Sequence, residues 1–336
     1  MKIIVDDKIP YIKGVFDPFF EVEYIAGSKI SADSVRDCDA LVVRTRTLCN
    51  ESLLSGSRVK VIVTATIGMD HIDMNYCQKE GIEVRNAAGC NASAVVQYVL
   101  AVAVIENLEP GVSTIGIVGY GNIGSLLAQR CKDFGFKVLA YDPFKEGDEC
   151  LVDELELLLS NSDLVTLHVP LTKDGKHKSF KMVDKAFFSK IKQGAIFVNT
   201  SRGEVVDERS LLEAIESGHL KSVAVDVWCN EPLINSALLQ KANYSTTHIA
   251  GYSRRGKERA TEMAVRAVAS KFSIKELLCW AIESTNSLEV ASWSELKDVM
   301  AKYFDIAKES SVLKSDIEAF EKIREQYNYR EEFTYK

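Results

Sequence analysis

A short apolar run that ends among glycines constrains this chain more than any other feature: Thr114-Ile115-Gly116-Ile117-Val118-Gly119-Tyr120-Gly121-Asn122-Ile123-Gly124. It reads as a buried strand that stops abruptly and hands over to a helix. Gly119 permits the tight turn, Gly121 lets backbone approach a pyrophosphate, and Gly124 lets helix and strand pack closely. Asn122 and Ile123 belong to the same phosphate-binding turn. The helix that follows, from about Ser125 to Phe134, aims its N-terminal amides and positive dipole end at phosphates. The next strand, Lys137 to Tyr141, ends in Asp142, about 20 residues on, where a dinucleotide fold wants an acid for the adenosine ribose. Its charge disfavours a 2′-phosphate, so NAD is expected over NADP, with Lys145 close by as the opposing influence. The competing reading of the glycines is an unliganded turn.

Bulk composition narrows the class further. A chain of 336 residues holds two compact domains, or three. Hydrophobic content of 46% and charged content of 26% are ordinary for a globular protein. The formal charge of −7 argues against nucleic acid, so an anionic substrate needs arginines gathered against the overall field. Eight cysteines are scattered with no CxxC pair, which fits reduced thiols in a cytoplasm and no metal site. The longest apolar stretch, Ala94 to Ile105, is too short to span a bilayer and contains Gln97. The opening residues, Met1 to Asp6, read as a strand and not as a targeting segment.

Taken in order, residues 1 to about 90 make a small α/β unit with strands at Ile3–Val5, Glu21–Tyr24, Ala40–Val43 and Val59–Thr64. Two strand ends carry polar groups: Arg44-Thr45-Arg46-Thr47, and Thr64-Ala65-Thr66 running on to Asp70-His71. Guanidinium binds oxyanions in a bidentate fork, so Arg44 and Arg46 suit a carboxylate or phosphate; the bland alternative is surface arginines at a turn. Asn91 to Asn107 reads as a helix with Asn91 as its N-cap. Beyond Asp142, strands at Asp163–His168, Ala195–Thr200 and Ser222–Val227 alternate with helices at Leu151–Ser160, Lys185–Lys190 and Glu208–Ser217. That alternation predicts a parallel, doubly wound sheet whose strand ends present Val169, Arg202 and Asp226 to one crevice. A helix is expected over Glu262–Ser270. The stretch 294–336 has helical spacing and reads as a third domain, an oligomer contact or a solvated helix.

Three segments carry chemistry: Ser201-Arg202-Gly203, Asp226-Val227-Trp228 with Glu231-Pro232, and His248-Ile249-Ala250-Gly251-Tyr252. Hydride transfer at a 2-hydroxy acid needs a cation to hold the carboxylate and polarise the carbonyl, which suits Arg202. It needs a proton acceptor near neutrality, which suits His248, and a carboxylate to orient the imidazole, which suits Glu231. Asp226 stands where it could accept hydrogen bonds from a nicotinamide carboxamide. Singly, each has a dull explanation as a surface charge, a structural histidine or an element end.

On these motifs the chain resembles the D-isomer-specific 2-hydroxyacid dehydrogenase family, over at least residues 1 to 265. Longer strings point to a branch acting on a phosphorylated 2-hydroxy acid. They include Ile4–Asp6, Asn50–Gly56, Thr64–Thr66, Gly89–Ala92, His168–Gly175, and His248–Tyr252 followed by Gly256–Lys257. The resemblance implies a Rossmann-type doubly wound sheet inserted in a flavodoxin-like substrate-binding domain, plus a small C-terminal α+β dimerisation domain. Expected bounds are 1–90 with 248–265 for substrate, 91–247 for NAD, and a shortened 266–336 for a homodimer contact. It further implies Arg202, Glu231 and His248 as catalytic residues, with Asp142, Val169, Asp226 and Gly251 around NAD. Thr45, Thr66 and Tyr252 fall around the substrate, with Arg330 a candidate phosphate contact in a dimer. The chain departs from the pattern at Thr45, where close members have serine, and at Val169, where they have threonine and a side-chain donor is lost. Phosphoglycerate and hydroxypyruvate or glyoxylate enzymes of the family stay open as alternatives, as does an NAD-sensing corepressor of the same fold. Neither nucleic acid nor membrane is an expected partner.

Overall fold

A computed structural model describes residues 1–283 and 288–335 of the chain. The expected C-terminal domain, 266–336, takes in residues 284–287 and 336, which lie outside the described residues. Two compact units emerge, each treated by itself: 1–91 with 254–283, and 92–253 with 288–335.

In the first unit, β1 (Lys2–Asp6), β2 (Glu21–Ile25), β3 (Ala40–Val43), β4 (Val61–Thr64) and β5 (Glu83–Asn86) form a parallel sheet in the order β2-β1-β3-β4-β5, the flavodoxin-like arrangement. Side chains alternate across a strand, so one face carries Ile3, Val5, Val42 and Val63 and the other Ile4, Leu41, Val43 and Ile62. Both faces are covered, which is why these strands are apolar at successive positions. Ala264, Val265, Val268 and Ala269 of the helix Arg254–Phe272 cover the first face. This helix begins well before the predicted Glu262. Its polar first turns are held by Arg255, which bonds Glu258 at 3.1 Å and Glu262 at 2.9 Å along the same face.

In the second unit, β6 (Thr114–Val118), β7 (Lys137–Tyr141), β8 (Leu164–Leu167), β9 (Ile196–Asn199), β10 (Ser222–Val225) and β11 (Tyr244–Ser245) form a second parallel sheet, ordered β11-β10-β9-β8-β6-β7. The order reverses beside β6, the strand that ends in the glycines, and ligands of such sheets bind at the C-terminal edge of that switch point. The helix Ala92–Ile105 is buried almost all round, since the helices Asn122–Asp133, Trp293–Tyr303 and Ile306–Ser315 surround it. That explains its apolar sequence on every face. Its expected cap does not form through the side chain, because Asn91 Oδ1 is buried with no hydrogen-bond partner.

The C-terminal stretch is not a solvated helix. Trp293, Leu296, Met300 and Phe304, at helical spacing, join the same core as Ile115 and Ile117. On either side of them in sequence, β12 (Leu288–Val290) and β13 (Phe333–Tyr335) pair in parallel, a small sheet that helical periodicity did not forecast.

Gly203, just after β9, is the tightest junction of the second sheet: a Cβ there would overlap the backbone of Trp228, which follows β10. Gly203→Ala should therefore destabilise the protein by about 3 kcal/mol or more, as overpacking against immovable backbone does. Urea unfolding measures it, and a loss below about 1 kcal/mol would contradict the packing described.

Candidate active site

The glycine turn divides its labour as expected of a phosphate cradle. Gly119 has φ 98°, and a Cβ on it would come within 2.6 Å of the His168 carbonyl oxygen. A Cβ at Gly124 would overlap the Gly119 carbonyl oxygen, so these two glycines serve close packing. A Cβ at Gly121 would meet nothing, which leaves the backbone uncovered just where the helix Asn122–Asp133 begins. Asp142 ends β7 and faces this turn. Its Oδ2 accepts from the Tyr120 N–H at 2.8 Å and its Oδ1 from the Phe144 N–H at 3.0 Å. A Cβ on Gly119 would also come within 3.0 Å of Val169 Cγ1, so Val169 shapes the turn and brings no side-chain donor. The residues present fit a dinucleotide pyrophosphate and its ribose.

The three residues predicted for proton and hydride chemistry follow three successive strands, Arg202 after β9, Glu231 after β10 and His248 after β11. His248 Nδ1 lies 2.9 Å from Glu231 Oε2 and 3.2 Å from Oε1. An ionised carboxylate only accepts, so Nδ1 carries the proton and Nε2 presents its lone pair. Burial pushes the Glu231 carboxyl upward, but the bonds from His248 and from the Trp228 N–H, with the charge of Arg324, outweigh it and hold the group below its ordinary value. Arg202 stands at the end of β9, half-buried, with Nη1 bonded to the Ser201 carbonyl at 2.8 Å. Asn199 braces that turn by accepting from the Ser201 N–H and donating to the Arg202 carbonyl.

Asp226 also works within the fold. It is 1% exposed, and its Oδ1 accepts from the Thr246 hydroxyl at 2.6 Å and the Ile249 N–H at 2.8 Å. Its Oδ2 accepts from the Ala250 N–H at 2.9 Å. The carboxylate thus staples the loop that carries His248, Gly251 and Tyr252.

Arg330 holds the same loop from the C-terminal segment. Its guanidinium is buried and donates to the carbonyls of Ala94, Ile249, Ala250 and Tyr252, with Phe304 stacked beneath. It is a clamp on the same loop, with its Nη atoms bonded to backbone carbonyls. Arg324 is the residue that sequence reasoning missed. Its Nε donates to the Tyr252 hydroxyl at 3.1 Å, and its Nη1 lies 3.9 Å from Glu231. Its place in the stretch 294–336, which the resemblance assigns to the C-terminal domain, was the available signal.

In the first unit, Arg44, Thr45 and Arg46 follow β3 and Thr66 follows β4, so the adjacent strand ends do bring them together. Arg44 is bound by the fully buried Asp6, Nε to Oδ2 at 3.0 Å and Nη2 to Oδ1 at 3.3 Å. Its fork therefore orders the loop, while Thr45 and Arg46 stay exposed. The Thr66 hydroxyl is 2.6 Å from that of Thr64.

Residues 102–250 match the family described as D-isomer specific 2-hydroxyacid dehydrogenase, NAD binding domain. A solved D-lactate dehydrogenase from Aquifex aeolicus, complexed with NAD and lactic acid, is similar over 85% of this chain and all of its own, at 26% identity and a TM-score of 0.69. Two parallel sheets, an open glycine turn and a histidine–glutamate pair at the strand ends thus define an NAD-binding dehydrogenase of the D-2-hydroxyacid class. The chain is 42% identical over 342 aligned positions to the erythronate-4-phosphate dehydrogenase of Bacteroides thetaiotaomicron, spanning 99% of this chain and 97% of that one. It is 34% identical over 350 positions to that of Acinetobacter baumannii, spanning 99% and 98%. The chain belongs to the erythronate-4-phosphate dehydrogenase family.

His168, at the end of β8, has Nε2 3.2 Å from the Thr166 hydroxyl and a buried Nδ1 with no partner. Burial pushes its imidazole from 6.5 down to about 3. Between those values the unfolded chain binds a proton that the folded chain refuses. The contribution to stability is complete above pH 6.5 and declines as pH falls toward 3, by roughly 1 kcal/mol per pH unit. Urea midpoints taken across that range should fall less steeply for His168→Gln than for the wild type; parallel curves would refute it.

Proposed function

We propose that this protein oxidises 4-phospho-D-erythronate to (R)-3-hydroxy-2-oxo-4-phosphooxybutanoate with NAD, a step of pyridoxal phosphate (vitamin B6) biosynthesis. The observation that carries the reading is the His248–Glu231 pair at 2.9 Å, in a chain so similar along its length to enzymes named for that substrate. NAD, when bound on the turn Gly119–Gly124 with Asp142 at its ribose, supplies the hydride acceptor. His248 takes the C2 hydroxyl proton at Nε2, and Glu231 stabilises the imidazolium that results. Arg202 holds the substrate carboxylate and favours the carbonyl as it forms. Thr45, Arg46, Thr66 and Tyr252 are assigned to the substrate, and Val169 and Gly251 to NAD by shape and backbone. Asp226 serves catalysis by fixing the loop.

The first unit is read as the substrate-binding domain and residues 92–253 as the NAD-binding domain. Reduced cysteines, all free among the described residues, support a cytoplasmic location. The family resemblance of the C-terminal segment supports a homodimer, which light scattering would register as twice the mass of one chain.

Nicotinamide absorbance should record turnover of 4-phosphoerythronate well above that of glycerate, lactate or 3-phosphoglycerate. Equal or greater activity on an unphosphorylated acid would overturn the substrate reading, and NAD binding with no turnover on any 2-hydroxy acid would favour a sensor. His248→Asn should lower kcat by about 100- to 10,000-fold, the usual range for general-base removal, while NAD still binds. Retained activity would remove His248 from its role.

A further inference from the structure

The loop Ile249–Tyr252 is gripped by one arginine of the C-terminal segment and touched by another, and the two are in opposite states. Arg330 has its Nη donors committed to backbone carbonyls. Arg324, on the helix Phe320–Glu325, has committed only Nε. The four N–H groups on its Nη1 and Nη2 make no hydrogen bond among the described residues. Two carboxylates stand off at salt-bridge range without bonding it, Glu231 at 3.9 Å and Glu321 at 3.7 Å. The side chain is nonetheless only 21% exposed, and its guanidinium lies over the Tyr252 ring, 5.7 Å from the centroid. A guanidinium does not shed its proton, so it is a fixed cation, largely withdrawn from water, with its bidentate face unused. Those donors keep some access to water, and an oxyanion entering there is the group whose geometry engages both of them at once.

We propose that Arg324 binds the phosphate of the substrate, with Tyr252 fixing its orientation. This rests on the substrate reading given above. Arg202 is assigned to the carboxylate on the reacting carbon's other side, and the phosphate sits two carbons beyond that carbon. An unbonded fork placed beside the acid/base pair is therefore at the right end of the molecule. Glu231 is already engaged by His248 and the Trp228 N–H, so Arg324 is not needed to satisfy it. Tyr252 accepts from Nε, and that bond turns the two Nη groups away from the hydroxyl. Tyr327 and Tyr329 flank the Tyr252 ring, with centroids 6.3 and 6.0 Å away, and restrict how it can rotate.

The test compares the wild type, Arg324→Gln and Arg324→Lys. For each, kcat/KM is measured on 4-phosphoerythronate and on unphosphorylated erythronate, with folding monitored by circular dichroism and NAD binding by titration. The ratio of the two kcat/KM values should fall by about 10- to 100-fold in Arg324→Gln, the range for losing charge-assisted hydrogen bonds. Arg324→Lys should recover part of it, since it keeps the charge without the fork. A purely structural role, felt through Glu231 or Tyr252, would lower both substrates alike, and a ratio within twofold of wild type would overturn the proposal. A second arm does not depend on the substrate being right: inorganic phosphate is titrated calorimetrically into the NAD-bound proteins. Binding at least tenfold weaker in Arg324→Gln supports the site even if phosphoerythronate is not turned over. Equal binding in wild type and Arg324→Gln overturns it. Should Arg324→Gln not fold, Arg324→Met decides both arms on the same criteria.

Discussion

The loop that carries His248 is held through opposite charges on opposite faces of its backbone. Asp226 takes the N–H groups of Ile249 and Ala250, and Arg330 takes the carbonyls of Ile249, Ala250 and Tyr252. His248 itself sits at φ 58°, a left-handed conformation that costs a non-glycine residue about 1–2 kcal/mol. Such a conformation persists only where the surroundings over-determine it. The His248 N–H is bonded to the Asp226 carbonyl at 2.8 Å, so Asp226 fixes the residue by main chain and side chain together. Tyr98, on the buried helix, extends the brace through the Thr246 hydroxyl, which in turn donates to Asp226. The imidazole is oriented by Glu231, but its starting point in space is set by these bonds.

The same logic governs the approach of strand ends. A parallel sheet can bring functional groups together only if the turns after neighbouring strands pack closely. Glycine allows that at Gly203 against Trp228 and at Gly119 against His168. In both places the neighbour is backbone, which cannot rotate aside as a side chain can. Gly121 is the exception that makes sense of the others, because nothing of the protein lies where its Cβ would be. Two glycines are required by the fold, and one by what the fold receives.

Local chemistry made much of this legible beforehand. The glycine turn, the acid after the next strand and the Arg–Glu–His order are each spelled within a few neighbouring residues, so periodicity and motif suffice for them. Where the reading stopped short, the cause is distance or solvent. Arg44 looked free because its partner, Asp6, lies 38 positions earlier in the chain. The part Asp226 plays in holding the loop was hidden because the amides it binds come 23 and 24 positions later. The strand Glu83–Asn86 was missed because it is an edge strand with three polar residues in four, and so lacks an apolar signature. The roles of Arg324 and Arg330 could not be told apart by composition or spacing. Both lie in one charged, aromatic segment, and only packing decides which guanidinium meets carbonyls.

That difference bears on why a chain of net charge −7 can handle an anionic substrate. The overall field is unfavourable, so attraction has to be local and has to come from cations with hydrogen-bond donors left uncommitted. Arg44 and Arg330 do not meet that condition: one is bound by a buried carboxylate and the other by backbone. They make rigid loops instead. The cations left for ligands are those whose hydrogen bonds are incomplete, and Arg324 is one by the geometry around it. A C-terminal segment that both stiffens the histidine loop and lends it a cation ties substrate recognition to the folding of that segment. Its Trp293, Leu296, Met300 and Phe304 are part of the same core as the strand that ends in the glycine turn. Loosening that core would therefore be felt at Tyr252 and His248 through Arg330, and at the dinucleotide turn through the strand Thr114–Val118 that leads into it.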